Sequence, residues 1–232
     1  MIKKLAKNIS LLTTINLIGI YCYVQYKKKS HNKINIIFDL DETLTHTEKT
    51  KNIENFNKSN MIKPDIIGLN TNLSNNLSNN LSNNLSNNLS NNLSNNLSNN
   101  LSNNSYDRVI WIRPGVNIIL PIIAEFNNVY LFTKATKLYA DEILTRTKLD
   151  KYFKEKKYRD ECYGTCKDLE KFNIALSNSL LIDDKLSNKC DKQNFYHIPR
   201  FNCYIKYDYE FFKLFGYILW INILQDFGFY AK

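Results

Sequence analysis

Three short groups of polar residues stand directly after three apolar runs of the chain. The groups are Asp39-Leu40-Asp41, Thr133-Lys134 and Asp183-Asp184. Carboxylates that converge on one point suit a hard cation with oxygen ligands, and Mg²⁺ fits best. A carboxylate can also act as a covalent nucleophile toward phosphorus. A cation and a lysine can neutralise phosphoryl oxygens as charge develops on them, so these residue types predict phosphoryl chemistry.

The elements that must position these groups are strands of a parallel sheet. The three apolar runs are Ile34–Phe38, Val129–Phe132 and Ser179–Ile182. Each run is short, continuous and rich in large apolar residues, as strands buried on both faces are. Helical patterns at Val116–Phe126 and Lys137–Thr147 alternate with the runs, which predicts a doubly wound α/β domain. Ligands of such domains bind outside the carboxyl ends of the strands, so we expect the three polar groups to meet in one crevice.

The segment Ile36–His46 reads Ile-Ile-Phe-Asp-Leu-Asp-Glu-Thr-Leu-Thr-His and resembles the signature of the haloacid dehalogenase superfamily. More narrowly, it is similar to the RNA polymerase C-terminal-domain phosphatases, also called NLI-interacting-factor-like phosphatases. Further matches follow in order: Arg113-Pro-Gly-Val, Leu131-Phe-Thr-Lys-Ala with Tyr139-Ala-Asp, Tyr158-Arg-Asp-Glu-Cys, Lys167-Asp-Leu and Leu181-Ile-Asp-Asp. The resemblance covers nearly all of Ile34–Asp226 outside one inserted loop, and it implies a fold like that of the haloacid dehalogenases.

The resemblance implies a catalytic role for four residues. Asp39 would be the nucleophile that forms an aspartyl-phosphate. Asp41 would protonate the leaving serine or threonine oxygen and then activate water, which requires a proton that an ordinary aspartate, with a pKa near 4, does not hold at neutral pH. Thr133 would bind a phosphoryl oxygen, and Lys167 would neutralise the phosphoryl group. The implied substrate is a phosphorylated protein.

The resemblance also implies how a cofactor and the substrate would be held. Mg²⁺ would be bound by Asp39, by the backbone carbonyl of Asp41 and by Asp184, and Asp183 would orient this set.

Two further residues are expected beside the substrate, and the sequence departs from the family near both sites. Thr43 would brace the loop after the nucleophile, and Arg159 would touch the substrate. Lys134 stands where the family usually has a small residue, which adds a cation. The chain between Arg159 and Lys167 is shorter than usual, and Asp183-Asp184-Lys185-Leu186 lacks the Ser-Pro that usually follows.

The N-terminal segment is predicted to be a membrane anchor over residues 1–30. Asn8–Tyr26 holds 19 residues without a charge, which as a helix would span about 28 Å, close to the thickness of a bilayer core. A cleaved signal peptide and an organelle presequence are the alternatives. Three lysines precede the run and four follow it, so the distribution of charge leaves the orientation undecided.

A low-complexity insertion divides the expected catalytic domain. Leu73–Asn104 consists of eight copies of Leu-Ser-Asn-Asn, whose period of four fits neither a helix nor a solenoid unit. We expect residues 49–105 to be a disordered insertion and residues 31–48 and 106–232 to form the phosphatase domain. Phe211–Leu224 is apolar but too short to span a membrane, and a docked C-terminal helix is expected there.

Composition narrows the function classes. The net charge is +9, but residues 1–38 hold seven lysines and no acid, so residues 39–232 hold 24 basic and 22 acidic residues. A nucleic-acid partner is therefore not expected. Five cysteines without a CxxC pair argue against a disulfide framework and a zinc site, and reduced thiols are expected.

Two functions fit an N-terminal anchor in front of this domain. The first is a membrane-anchored protein serine/threonine phosphatase, as in the dullard-type phosphatases of the ER and nuclear envelope. The alternative is a presequence receptor like the fifty-kilodalton Tim subunit of the mitochondrial inner-membrane translocase, whose partners would be presequences and translocase subunits. All the expected catalytic residues are present, which favours the phosphatase; the choice between the two membranes stays open.

Overall fold

The computed structural model of this chain describes residues 18–30, 33–49, 66–69, 108–162, 164, 166–204 and 207–227. The strands in these residues are β1 (Asn35–Phe38), β2 (Thr45–Lys49), β3 (Ile66–Leu69), β4 (Arg108–Ile112), β5 (Asn128–Phe132), β6 (Glu155–Lys157), β7 (Ser179–Asp183) and β8 (Asn194–His197). The helices are α1 (residues 18–29), α2 (Val116–Phe126), α3 (Lys137–Thr147) and α4 (Glu210–Asp226). Short 3-10 turns connect several of them.

The central sheet consists of five parallel strands in the order β6-β5-β1-β7-β8. β1 pairs with β5 on one side and with β7 on the other, so the direction of winding reverses beside β1. Ligands of open α/β sheets bind at such a switch point. β1, β5 and β7 are the three predicted strands, and the prediction of an α/β fold with a parallel sheet is confirmed.

The edge strands β6 and β8 are absent from the sequence-based prediction. β6 reads Glu-Lys-Lys, and these residues form strands poorly by themselves. It is a strand because its backbone pairs with β5, where Phe132 lies opposite Lys157. Charged side chains at a sheet edge also discourage pairing with other chains.

The helices α2 and α3 have the predicted bounds. The buried side chains of α2 recur at helical spacing and pack into the main core: Val116, Ile119, Leu120, Ile123 and Phe126. α4 packs against α2, and it buries Phe211, Leu214, Ile218 and Ile221. Asn222 on α4 donates a hydrogen bond to Asn127 Oδ1 over 3.0 Å. The predicted docked C-terminal helix is therefore confirmed.

A second, antiparallel sheet with the order β2-β4-β3 stands beside the carboxyl end of β1; we call it the flap sheet. β3 corrects the prediction that all of residues 49–105 form a loop, since Ile66–Leu69 pair with β4. Leu69 lies opposite Arg108, so the chain leaves the flap sheet after Leu69 and enters it again at the paired residue Arg108. The Leu-Ser-Asn-Asn repeat lies outside the described residues.

The N-terminal helix α1 docks on the end of α4. Val24 and Lys27 are buried, the Lys27 ammonium lies 2.8 Å from Asp226 Oδ1, and the Tyr23 hydroxyl donates to Asp226 Oδ2 over 2.8 Å. Lys27 thus neutralises Asp226 rather than standing free at the end of the predicted anchor. Among the described helices, none has the length and apolar character needed to cross a bilayer. Residues 1–17, the first part of the predicted anchor, lie outside the described residues.

One disulfide bond corrects the expectation of five reduced thiols. Cys166 and Cys190 are bonded, although they lie 24 positions apart in the sequence. Cys166 directly precedes Lys167, whose backbone N–H donates to the carbonyl of Asn188 over 2.8 Å. The bond and this hydrogen bond fasten together the two segments that carry Lys167 and Asn188.

Candidate active site

A cavity of about 510 Å³ opens at the carboxyl ends of β1 and β5. The predicted site residues that line it are Asp39, Asp41, Thr133, Lys134 and Arg159. Lys167 and Asp183 lie fully buried in its floor. The structure therefore brings the three polar groups of the sequence to one place, as the strand pattern predicts.

Lys167 joins two carboxylates in the floor of the cavity. Its ammonium donates to Asp39 Oδ1 and to Asp183 Oδ2, each over 2.6 Å. Asp39 follows β1 and Asp183 ends β7, so the pairing of these two strands places the carboxylates side by side. Two buried carboxylates this close need a cation between them, and Lys167 supplies it.

Asp183 is held by further hydrogen bonds. Its Oδ1 accepts from the backbone N–H of Lys185 over 2.8 Å, and both its oxygens accept from the side-chain amide of Asn188 over 2.9 Å. With Lys167 on Oδ2 as well, Asp183 has its acceptors occupied. Asp183 therefore holds Lys167 in place; its predicted role in orienting the Mg²⁺ ligands stays a prediction.

The charge states of the floor residues follow from burial and from their neighbours. Burial raises the pKa of Asp39 to about 7, although the Lys167 ammonium opposes the shift. Burial alone would lower the pKa of Lys167, but the charges of Asp39 and Asp183 outweigh it and raise that pKa. The charged form of Lys167 is therefore favoured, and additional positive charge in the site favours the ionised form of Asp39.

Asp41 is held at the boundary between the central sheet and the flap sheet. Asp41 Oδ1 accepts a hydrogen bond from the Tyr139 hydroxyl over 3.2 Å, and that hydroxyl lies 2.6 Å from Thr47 Oγ1. Thr47 belongs to β2 and Tyr139 to the first turn of α3. Burial raises the pKa of Asp41, although the hydrogen bond from Tyr139 opposes the shift. Asp41 thereby retains a proton at higher pH than an ordinary aspartate, which a general acid requires.

Asp184 has an unused buried acceptor. Its Oδ1 is buried and makes no hydrogen bond within the described part of the chain. Oxygens of Asp39, Asp183 and Asp184 lie within 4.8 Å of one another. Because Asp183 is already engaged by Lys167 and Asn188, the oxygens of Asp39 and Asp184 are the better ligands. Oxygen donors with an unsatisfied buried carboxylate fit Mg²⁺.

Thr133, Lys134 and Arg159 form the wall of the cavity at the end of β5. Thr133 Oγ1 accepts a hydrogen bond from the backbone N–H of Ala135 over 3.1 Å, so it shapes the turn that faces Asp39. Arg159 Nε donates to the carbonyl of Lys134 over 2.8 Å. Arg159 therefore lines the cavity despite the short connection to Lys167, and its contact with the substrate stays a prediction.

Thr43 does not line the cavity, which differs from its expected place beside the substrate. Its side chain is fully buried, and Oγ1 makes no hydrogen bond within the described residues. Its carbonyl accepts from Arg113, which is also buried and donates to the carbonyl of Pro199 and to Asp208. Thr43 thus belongs to the support of the nucleophile loop.

Glu42, His46 and Arg200 form a second group of ionisable side chains, apart from that around Lys167, and it fixes the turn that follows Asp39. Glu42 has a φ of 65°, in the left-handed region, and its backbone N–H donates to the carbonyl of Thr45. The Glu42 carboxylate lies 2.9 Å from His46 Nδ1 and 3.3 Å from Arg200 Nε. Burial would raise the pKa of Glu42, but His46 and Arg200 outweigh it and lower that pKa. His46 therefore helps to fix the conformation of this loop.

Three residues of the site were not predicted from the sequence to have a role there: Tyr139, Asn188 and Arg108. Tyr139 stands within the matched Tyr-Ala-Asp segment, which was a usable signal. Asn188 follows Asp183 by five residues in a 3-10 turn, a spacing that lets its amide reach back. No sequence signal points to Arg108, because its place in the cavity depends on how β4 pairs within the flap sheet.

Comparison with known proteins gives a family model and several distant structures. The model for NLI interacting factor-like phosphatases matches residues 34–227. A variant of the fission yeast RNA polymerase II CTD phosphatase Fcp1 bound to beryllium fluoride is 15% identical at a TM-score of 0.44, over 91% of this chain and 59% of that one. A second structure of Fcp1, an essential RNA polymerase II CTD phosphatase, is 18% identical at a TM-score of 0.44, over 92% and 53%.

A putative β-phosphoglucomutase from Thermotoga maritima is 16% identical at a TM-score of 0.44, over 83% of this chain and 99% of that one. The chain spans little more than half the length of the two Fcp1 structures. No curated protein matches it.

Proposed function

This chain belongs to the NLI interacting factor-like phosphatase family, and we propose that it is a Mg²⁺-dependent protein serine/threonine phosphatase that acts through an aspartyl-phosphate. One observation carries the proposal. Asp39 lies at the floor of the cavity, and its Oδ1 accepts a hydrogen bond from the Lys167 ammonium. The same ammonium donates a second hydrogen bond to Asp183. A buried nucleophile beside a fixed cation is the arrangement that phosphoryl transfer requires.

In the first step a carboxylate oxygen of Asp39 attacks the phosphorus of a phosphoserine or phosphothreonine. The bond between phosphorus and the side-chain oxygen breaks, and Asp41 donates its proton to that oxygen. Burial supports this role because it raises the pKa of Asp41. The products are an aspartyl-phosphate on Asp39, an ionised Asp41 and the free hydroxyl of the substrate.

In the second step Asp41 accepts a proton from a water molecule, whose oxygen attacks the phosphorus. The bond between phosphorus and Asp39 breaks, which releases inorganic phosphate and restores both carboxyl groups. Lys167 neutralises the phosphoryl oxygens in both steps, and Tyr139 holds Asp41 in place.

The cation would be held by Asp39, by the backbone carbonyl of Asp41 and by Asp184. Bound there, it would supply positive charge to the phosphoryl oxygens. Asp184 Oδ1 is the group that supports this assignment, since it is buried without a hydrogen bond among the described residues. Asp183 orients Lys167 rather than binding the ion.

The experiment uses the full-length chain and a phosphoserine peptide. We expect Mg²⁺-dependent release of phosphate that chelation with EDTA abolishes and that Asp39→Asn removes. The matched control is Asp150→Asn, which makes the same chemical change in an exposed turn after α3 and leaves the rate unchanged. Equal turnover by Asp39→Asn and wild type overturns the proposal, and so does the absence of turnover combined with specific binding of a basic amphipathic presequence.

We also propose that residues 1–30 attach the domain to a membrane, either the ER and nuclear envelope or the mitochondrial inner membrane. The uncharged run Asn8–Tyr26 supports this proposal. The full-length chain is expected to stay with the membrane fraction after alkaline carbonate extraction. Its release into the soluble fraction would overturn the proposal, and microscopy of a tagged chain distinguishes the two membranes.

A further inference from the structure

The cavity carries more positive charge than the proposed reaction uses. Four basic side chains line it: Arg108, Lys134, Arg159 and Lys185. The cation that contacts the nucleophile is a different residue, Lys167, in the floor. Within the described part of the chain, Arg108, Arg159 and Lys185 form no ion pair with an acidic side chain. Their charge therefore faces whatever enters the cavity.

Arg108 occupies a defined place on the flap side of the cavity. Its guanidinium lies 5.8 Å from the centre of the Tyr139 ring, and Nη1 donates to Thr47 Oγ1 over 3.5 Å. Its Nε is buried and has no hydrogen-bond partner among the described residues. The guanidinium has five N–H donors, and most of them have no hydrogen-bond partner among the residues that the structure describes. An arginine fixed on an aromatic ring with spare donors suits an anion whose two oxygens can accept paired hydrogen bonds, such as a carboxylate or a phosphate.

The position of Arg108 relative to Asp41 indicates which part of the substrate it meets. Tyr139 contacts both residues, so Arg108 lies on the side of the general acid. Asp41 protonates the oxygen that remains with the substrate residue. The chain on either side of that residue therefore passes this side of the cavity, whereas the phosphoryl oxygens face Lys167 and Thr133.

We propose that Arg108 binds a second anionic group of the substrate, next to the phosphoserine or phosphothreonine that is hydrolysed. The group is an acidic side chain or a second phosphate. This inference rests on the proposed phosphatase function and narrows its substrates to acidic phosphopeptides. Lys134, Arg159 and Lys185 extend the positive lining around the entering chain.

The test compares four phosphoserine peptides that differ only in the residues beside the phosphoserine: glutamine, glutamate, a second phosphoserine or lysine. With the full-length chain we expect kcat/KM for the glutamate and doubly phosphorylated peptides to exceed that for the glutamine peptide by roughly tenfold. The lysine peptide should be the poorest, and high salt should shrink the difference. A higher kcat/KM for both anionic peptides would show that Arg108 recognises negative charge in general. A higher kcat/KM for the doubly phosphorylated peptide alone would show that it recognises a second phosphate. Equal rates for glutamine and both anionic peptides overturn the inference.

Two variants assign the preference to Arg108. Arg108→Gln should reduce the ratio of acidic to neutral rates to nearly one, and Arg108→Lys should restore part of it. The matched control is Arg146→Gln, which removes the same charge from an exposed position on α3 and should keep the ratio. An equal loss in Arg108→Gln and Arg146→Gln would mean that overall charge sets the preference, which overturns the role of Arg108.

Binding separates this inference from the proposed function. The Asp39→Asn variant, which cannot form the aspartyl-phosphate, is titrated with the same peptides by fluorescence anisotropy. A tighter complex with the acidic peptides supports the site even if wild type hydrolyses none of them, an outcome that would overturn the phosphatase proposal alone. Equal affinity for all four peptides overturns the site, whatever the turnover.

Discussion

The sheet side of the cavity buries its charges, whereas the flap side leaves its charges partly open to solvent. On the sheet side, Lys167, Asp39 and Asp183 form a buried group in which each charge has its partner. On the flap side, Asp41 is held by Tyr139, a residue of a different element, and Arg108 keeps unused donors. In the proposed reaction, the phosphoryl group would therefore be bound by a fixed scaffold, while proton transfer and substrate selection would occur where the two sheets meet.

The sharpest test of the buried side is Lys167→Ala. It leaves Asp39 and Asp183 as adjacent buried carboxylates, which should lower the free energy of unfolding by about 3–5 kcal/mol. Activity should fall by roughly 10³-fold, since a fixed positive charge on the phosphoryl group is lost. Urea denaturation and phosphate release measure the two effects.

The pH dependence of that variant follows from the same charges. Burial raises the pKa of Asp39, and Lys167→Ala removes the ammonium that opposes this shift, so the folded state binds more protons than the unfolded chain. Stability is then present below the usual aspartate pKa near 4 and is lost as the pH rises. We expect the variant, without divalent cations, to be more stable at pH 5 than at pH 8. The control Lys151→Ala removes an exposed lysine and should not acquire this dependence; if Lys167→Ala is no less stable than this control, the comparison fails.

Asp41→Asn tests whether the flap side performs the proton transfer. The variant retains Asp39 and Lys167, so it should still form the aspartyl-phosphate from an activated phosphomonoester with a good leaving group. Hydrolysis of a phosphoserine peptide should fall by roughly 10²-fold or more, because the leaving oxygen receives no proton. Acid quenching and mass spectrometry should detect the accumulated phospho-enzyme, and full activity in this variant would show that the acid lies elsewhere.

Tyr139→Phe is expected to have a smaller effect, of a few-fold on kcat. The hydrogen bond from Tyr139 lowers the pKa of Asp41 against the larger effect of burial. Without it the pKa of Asp41 rises, so Asp41 keeps its proton to higher pH. The fall of kcat/KM on the alkaline side should therefore move to higher pH, while Tyr152→Phe leaves the profile in place. An unchanged profile in Tyr139→Phe would limit Tyr139 to packing.

The smallest effect is expected from shortening the repeat. Deletion of residues 73–88 removes four of the eight copies. The cost of closing a loop changes by only about 0.6 kcal/mol for each doubling of its length, and Leu69 and Arg108 remain paired. The unfolding free energy and the rate on a small phosphomonoester should therefore stay close to wild type. Loss of folding in this variant would show that the repeat supports the flap sheet.

The parts of the fold that could be predicted carry their own local signal. β1, β5 and β7 are continuous apolar runs, and α2 has apolar side chains at helical spacing. β6 could not be predicted in this way, because pairing with β5 rather than its Glu-Lys-Lys sequence makes it a strand. β3 has an apolar sequence, Ile-Ile-Gly-Leu, but it is only four residues long and lies beside the low-complexity repeat.

The residues of the site likewise fall into those that the sequence predicts and those that depend on how the elements pack together. Asp39, Asp41 and Asp184 follow strands, so their meeting could be deduced from sheet topology. The hydrogen bond between Tyr139 and Asp41 and the entry of Arg108 into the cavity depend on how α3 and the flap sheet dock, which no local pattern encodes. The position of Thr43 outside the cavity could not be predicted for the same reason, since it depends on a hydrogen bond from Arg113 to the Thr43 carbonyl in the core.

The bond between Cys166 and Cys190 also makes the chain a reporter of its surroundings. Disulfides persist in oxidising compartments and are reduced in the cytosol. In denaturant, which exposes the buried Cys203, a thiol-reactive reagent would label three thiols in the bonded chain, on Cys22, Cys162 and Cys203, and five in the reduced one. Counting labelled cysteines in protein taken directly from cells therefore indicates whether the domain resides in an oxidising or a reducing compartment.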